Sequence, residues 1–201
     1  MTKNYLPKEL MRLVESFSKL PGIGQATASR LALYLMRKPS DLSLEIAKSL
    51  IEARKKVKSC PNCNNFMFDN DCSCSDSSRQ SDILCIVENT VDVISVENSG
   101  EYNGQYHVLQ GLLSISQGIN PKDLKINQLI NRIKNSEFKE IILATDPTSD
   151  GEFTAQYIHE KIKPYCLLIT RIAIGVPIGS EVNYIDKNTL AKSIVDRRKI
   201  G

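Results

Sequence analysis

The chain has 201 residues, 41% of them hydrophobic, enough for a packed core in one or two domains. No apolar run approaches the roughly 18 residues a membrane helix needs, and the start MTKNYLPKEL lacks the apolar stretch of a secretory signal, so we expect cytoplasmic residence and no membrane partner. The net charge of +3 is lopsided: residues 1–59 carry twelve Lys or Arg against five acids, a net +7, and the remainder carries −4.

A basic block on a mildly acidic body points to a polyanion held by the block, although the same lysines also suit the solvated faces of short helices. Within residues 1–58, Leu10, Leu13, Val14 and Phe17 recur at helical spacing, and LPGIG at 20–24 interrupts the pattern. It resumes through Leu31 and Leu35, and a third helix through Leu44, Ala47, Leu50 and Ile51 ends in RKKVK. Gly22 and Gly24 flank Ile23 just before the second helix. Glycines there let a ligand approach the backbone, and the following N–H groups lie at the positive end of the helix dipole. That arrangement grips a phosphate without reading a base. Ile23 would plug the space between the helices, and Arg30, about two turns further on, is the candidate to reach a neighbouring phosphate. The spacing resembles the helix-hairpin-helix motif of DNA-binding proteins that do not read sequence. The alternative is an ordinary helical corner whose glycines only make the bend.

Residues 59–76 contain CPNCNNFMFDNDCSC, which supplies Cys60, Cys63, Cys72 and Cys74. Six cysteines in a reducing compartment indicate metal ligands or buried thiols before disulfides. A C-x2-C pair followed by a second close pair can complete a tetrahedral Zn2+ site, and in so polar a segment the metal would supply the folding free energy. The second pair is C-x-C, one residue shorter than a standard knuckle, so both its sulfurs must reach one ion across a tighter turn. Cys85 and Cys166 lie in apolar runs and are expected in the core.

From residue 83 the runs ILCIV, IILA, CLLIT and RIAIGV read as strands that alternate with helical stretches, which predicts an α/β domain with a mostly parallel sheet over residues 82–177. Ligand sites in such sheets lie beyond the carboxyl ends of strands, where Glu88 and Asp146 fall. LCIVEN and LATDPTSDGE together resemble the Toprim domain, which pairs a glutamate on one strand end with D-x-D on another. The resemblance implies that Glu88 is the acid or base position and that Asp146 is the first metal-holding aspartate. Thr148 occupies the second aspartate position, and Asp150 stands just before Gly151. Glu88, Asp146 and Asp150 would then support at most a weak Mg2+ site, because magnesium favours several hard anionic oxygens. They could equally face a basic partner or cap helices.

In residues 178–201, a tight loop through Pro177 and Gly179 precedes the short closing helix NTLAKSIVDR. The order helix-hairpin-helix, four-cysteine finger, Toprim and R-x-A-x-G-x-P-x-G tail, with Asp186, Thr189, Leu190 and Arg197, resembles the RecR family of bacterial recombination mediators. This resemblance spans essentially the whole chain. It implies a non-enzymatic, ring-forming homo-oligomer that binds DNA and acts with RecO and RecF to help RecA replace SSB on single-stranded gaps. It also implies that Gly22, Gly24 and Arg30 contact the DNA backbone. The main competing reading is a metal-dependent Toprim nuclease or nucleotidyl transferase, and a third is a scaffold that binds partners and barely touches DNA.

Overall fold

The structure, a computed structural model, describes residues 6–37, 41–67, 71–166 and 168–199. The chain divides into two compact units, Met1–Val57 and Lys58–Gly201.

In the first unit, α1 (Lys8–Ser18) and α2 (Gln25–Leu35) form a hairpin and α3 (Leu42–Lys56) follows. The periodic apolar positions make the packing. Val14, Ala28 and Ala32 are buried, and Leu10, Leu13, Phe17 and Ile23 close around them. Ala28 and Ala32, four residues apart on one helix face, let the two helices approach closely. No residue of α3 is buried, so Leu44 (61% exposed), Leu50 (70%) and Ile51 face solvent. Its last turn carries Arg54, Lys55 and Lys56, the charge sign that suits a helix C-terminus.

The second unit begins with a two-stranded ribbon of β1 (Lys58–Ser59) and antiparallel β2 (Phe66–Met67), then a 3-10 turn at Ser73–Ser75. Next come β3 (Gln80–Val87), α4 (Thr90–Ser99), β4 (Gly104–Val108), α5 (Ile126–Lys134), β5 (Glu140–Ala144), α6 (Ser149–Ile162), β6 (Leu168–Arg171) and α7 (Lys187–Val195). The four-stranded sheet is wholly parallel in the order β4-β3-β5-β6. Alternation sorts β3 between two cores. Leu84 and Ile86 join Leu129, Ile133, Ile158 and Ile162 of α5 and α6 on one face, while Cys85 and Val87 join Val93 of α4 on the other. A strand covered on both faces reads as the continuous run ILCIV. Cys85 and Cys166 are buried as expected.

The strand reading needs one addition and one correction. GQYHV forms β4, although its Gln and His disguise a buried edge. RIAIGV contributes only Arg171 to a strand; Ile172 N–H still donates to Leu143 O at 3.1 Å, and the chain then leaves the sheet. Among the described residues no strand lies beyond β6 to hold it, and Gly175 and Pro177 do not favour one. Leu167, inside the predicted CLLIT strand, lies outside the described residues. The closing helix is present as α7, where the Asp186 carboxylate accepts the Asn188 and Thr189 N–H groups.

His107 on β4 is fully buried, and neither ring nitrogen has a hydrogen-bond partner among the described residues. Burial first, and the positive charge of Arg132 second, lower its pKa to about 3. Below pH 6.5 the unfolded chain takes up a proton that the folded chain refuses, so stability falls as pH drops from about 6.5 towards 3. Between pH 6.5 and 5 this should cost about 2 kcal/mol. Urea titrations across that window should show a shallower pH dependence for His107→Leu than for the parent; equal slopes would contradict the assignment.

Candidate functional site

Three places carry the predicted site residues. The first is the turn between α1 and α2. Ile23 N–H donates to Leu20 O at 3.1 Å, with Pro21 and Gly22 (φ +77°) between them, the geometry of a type II turn. Gly22 therefore meets a backbone requirement. Gly24 does not: its φ is −79°, and a Cβ added there would meet nothing within 4 Å. Its missing side chain instead clears the space before α2, whose N-terminus has no side-chain cap. Ile23 packs into the hairpin core, as a plug would. Arg30 is exposed and forms no ion pair with a described residue.

The second place is the cysteine knuckle. The Sγ atoms of Cys60, Cys63, Cys72 and Cys74 all lie within 4.8 Å of one another, with Cys63–Cys72 at 3.2 Å and Cys60–Cys74 at 3.6 Å. A tetrahedron with bonds of about 2.3 Å has edges of about 3.8 Å, so the set fits a single tetrahedral ion. The first pair is bent by a turn in which Asn64 N–H donates to Cys60 O, and Asn62 N–H points at Cys60 Sγ, 3.4 Å away. The 3-10 turn resolves the short second pair: Cys72 is extended just before it and Cys74 lies within it, so both sulfurs turn inward. Burial alone would raise the Cys60 thiol, but the N–H groups of Cys63 and Asn62 and the Cys74 side chain outweigh it and bring the pKa to about 7. Burial pushes Cys63 and Cys72 up. Four clustered sulfurs form a donor set for a soft cation, whose charge would favour their thiolate forms.

The finger is not a free-standing module. Cys63 O accepts from Val108 N–H at 2.9 Å, Asn64 Nδ2 donates to Val108 O at 2.8 Å, and Gln128 on α5 donates to Pro61 O. The finger thereby covers the outer edge of β4 with hydrogen bonds, one way proteins protect a terminal strand. Arg132, also on α5, is buried and donates to Tyr106 O at 2.6 Å and Gln105 Oε1 at 2.5 Å.

The third place is the acidic loop. Val87 lies beside Ala144 in the parallel register of β3 and β5, so Glu88 and Asp146 leave neighbouring strand ends. The strand order also reverses there, since the chain runs from β3 to β4 on one side and then to β5 on the other. Burial, and then the charge of Asp146, hold the Glu88 carboxyl above its ordinary range, and its Oε2 is buried without a partner among the described residues. Thr148 serves the backbone: it caps α6, its hydroxyl accepting Gly151 N–H at 3.1 Å. Among the described residues only the four cysteines bring three or more ligand atoms together; Glu88, Asp146 and Asp150 do not gather into such a group. Glu152 is engaged by Arg171, which donates to its Oε1 at 2.8 Å, to Asp146 O at 3.3 Å and to Leu143 O at 2.9 Å. Sequence reading misses Arg132 and Asn64, and marks Arg171 only as the first residue of the R-x-A-x-G-x-P-x-G pattern without its role, because nothing local shows partners that are distant in the chain.

Gly151 fixes the loop. A Cβ there would stand 1.9 Å from Asp146 O. In an open helix Gly→Ala stabilises by up to about 1 kcal/mol, but here the sign reverses. Gly151→Ala should lower unfolding free energy by about 2 kcal/mol in urea titration; a gain in stability would show that the loop tolerates the side chain.

Comparison with known proteins supports the hairpin, the α/β domain and the C-terminal segment. Residues 82–173 match the family model of the Toprim domain, 10–54 that of the RecR helix-hairpin-helix, and 175–198 that of the RecR C-terminal region. The chain is 42% identical over 197 residues to a recombination protein RecR from Heliobacterium modesticaldum, covering 98% of this chain and 99% of that one. With likeness of that extent, the chain belongs to the RecR family of recombination proteins.

Proposed function

We propose that the chain is a non-enzymatic DNA-binding recombination mediator that acts with RecO and RecF to help load RecA onto SSB-coated single-stranded gaps. The observation that carries the DNA contact is Gly24. Neither its backbone conformation nor internal packing requires glycine, so the cleared space before the uncapped α2 N-terminus suits an external group such as a phosphate. Gly22 shapes the turn and Arg30 supplies an exposed cation on the same helix, in a unit of net positive charge. Phosphate contacts of this kind position a protein without choosing a sequence.

Zn2+ is the ion that four thiolates in a closed tetrahedral set favour, and its role here is structural, since four protein ligands complete the tetrahedron. The exposed apolar residues Leu44, Leu50 and Ile51 of α3, with Ile178 and Val195 near the C-terminus, support assembly into a homo-oligomeric ring, because exposed apolar clusters mark contact surfaces. The exposed Asp146 loop suits a basic surface on a partner protein.

A second reading, a metal-dependent Toprim enzyme, draws on Glu88, whose raised pKa and unpartnered Oε2 suit a general acid or base. Against it stands Thr148, committed to capping a helix where a second carboxylate would hold metal. The deciding experiment measures the lag before RecA hydrolyses ATP on SSB-coated gapped DNA with RecO present. We expect this protein to shorten the lag. No shortening, together with DNA cleavage in Mg2+ or Mn2+ that Glu88→Gln abolishes, would favour the enzyme. Arg30→Ala should weaken binding to all DNA sequences alike and flatten the log–log salt dependence by about 1; unchanged affinity at low salt would remove Arg30 from the interface.

A further inference from the structure

Among the described residues, three that are not glycine have positive φ: Asn64 (60°), Gln110 (63°) and Lys125 (52°). They are far apart in sequence, yet all three meet at Asn64. Gln110 Nε2 donates to Asn64 O at 3.0 Å, and Lys125 Nζ donates to Asn64 Oδ1 at 3.1 Å. Asn64 Nδ2 in turn donates to Val108 O at 2.8 Å, and Asn64 is buried. Left-handed backbone at such residues persists only where surrounding contacts over-determine it, and it clusters at functional positions.

Asn64 directly follows the metal-ligand position Cys63. On its other side the cluster reaches the acidic loop: Gln110 N–H donates to Glu88 O at 2.8 Å and Gly111 N–H to the same oxygen at 3.2 Å. One continuous path therefore runs from Cys63 through Asn64 and Gln110 to the backbone of Glu88. Lys125 and buried Arg132 both belong to the α5 region that faces this path, Lys125 bonded to Asn64 and Arg132 to Tyr106 O on β4. Their positive charges suit the net negative charge of a metal tetrathiolate.

We propose that Asn64 is a positioning residue that ties metal occupancy of the knuckle to the backbone of the Glu88 loop. This rests on the reading of the knuckle as a Zn2+ site. With metal bound, Cys63 is fixed, Asn64 is held left-handed, and Gln110 anchors the Glu88 carbonyl. Without it, Cys63 and Asn64 relax and the anchor at Gln110 loosens. The finger then acts on the acidic loop as well as on its own fold.

The experiment is residue-resolved amide hydrogen exchange on the full chain, with zinc content measured on the same samples. Four samples suffice: the parent and Asn64→Gly, each as purified and after chelation. Glycine keeps the left-handed backbone available but removes the side-chain bonds to Val108 O and from Lys125 Nζ, so the Asn64 carbonyl that Gln110 grips is no longer held in place. In zinc-loaded Asn64→Gly, exchange at Gln110 and Gly111 should rise about tenfold while Ile158 in α6 is unchanged. Chelation of the parent should produce a similar rise at the same two amides. Chelation of Asn64→Gly should add less than about threefold, because a shared path is broken only once. Unchanged exchange at Gln110 in the zinc-loaded variant overturns the proposal, as do independent effects that multiply. If chelation unfolds the whole unit and exchange rises at Ile158 too, the zinc-loaded variant alone decides. Protein purified without zinc would instead overturn the metal reading, an outcome the metal analysis separates from failure of the Asn64 path.

Discussion

Parallel pairing of β3 with β5 organises the second unit, because its register sets Val87 beside Ala144 and so delivers Glu88 and Asp146 to adjacent strand ends. The apolar faces of both strands, Leu84 and Ile86 opposite Ile141 and Leu143, hold that register; a one-residue slip would turn every one of these side chains to the other face. Gly151 then lets α6 start against the Asp146 carbonyl, and Arg171 from β6 ties the loop down through Leu143, Asp146 and Glu152. The loop is held at several points, and its main electrostatic tension is the crowding of Glu88 by burial and by Asp146.

The polar groups near the β4 edge follow from the cost of burying charge and unpaired dipoles. Arg79 forms a two-pronged ion pair with Glu97, which also accepts from the Tyr106 hydroxyl at 2.6 Å, so α4 is pinned to the start of the sheet. Arg132 finds two oxygens on β4. His107 finds none among the described residues and stays neutral. The finger completes this edge from outside, and a metal that closes four sulfurs would also hold the strand that Cys63 and Asn64 cover.

The two units differ in charge. The basic helical unit holds the open helix start after Gly24 and the exposed arginine proposed above to meet phosphate, while the acidic loop belongs to the other unit. Thr148 closes the first turn of α6, at the position where the Toprim resemblance implies a second metal-holding carboxylate.

Much of the fold is legible in the sequence because it depends on neighbours in the chain. The hairpin around Gly22 and Gly24, the C-x2-C turn, the ILCIV and IILA strands and the helix starts after them are set by periodicity, turn chemistry and capping within a few residues. β4 is hard to read because Gln105 and His107 hide its burial, and RIAIGV reads as a strand although its apolar residues have no partner strand among the described residues. The four-cysteine site and the pairing of Glu88 with Asp146 were expected from their motifs, but the geometry by which the C-x-C pair closes around a common centre and the convergence of Asn64, Gln110 and Lys125 were decided by tertiary structure alone. Each joins residues many positions apart, and such contacts follow from strand register and helix docking, which local spacing does not encode.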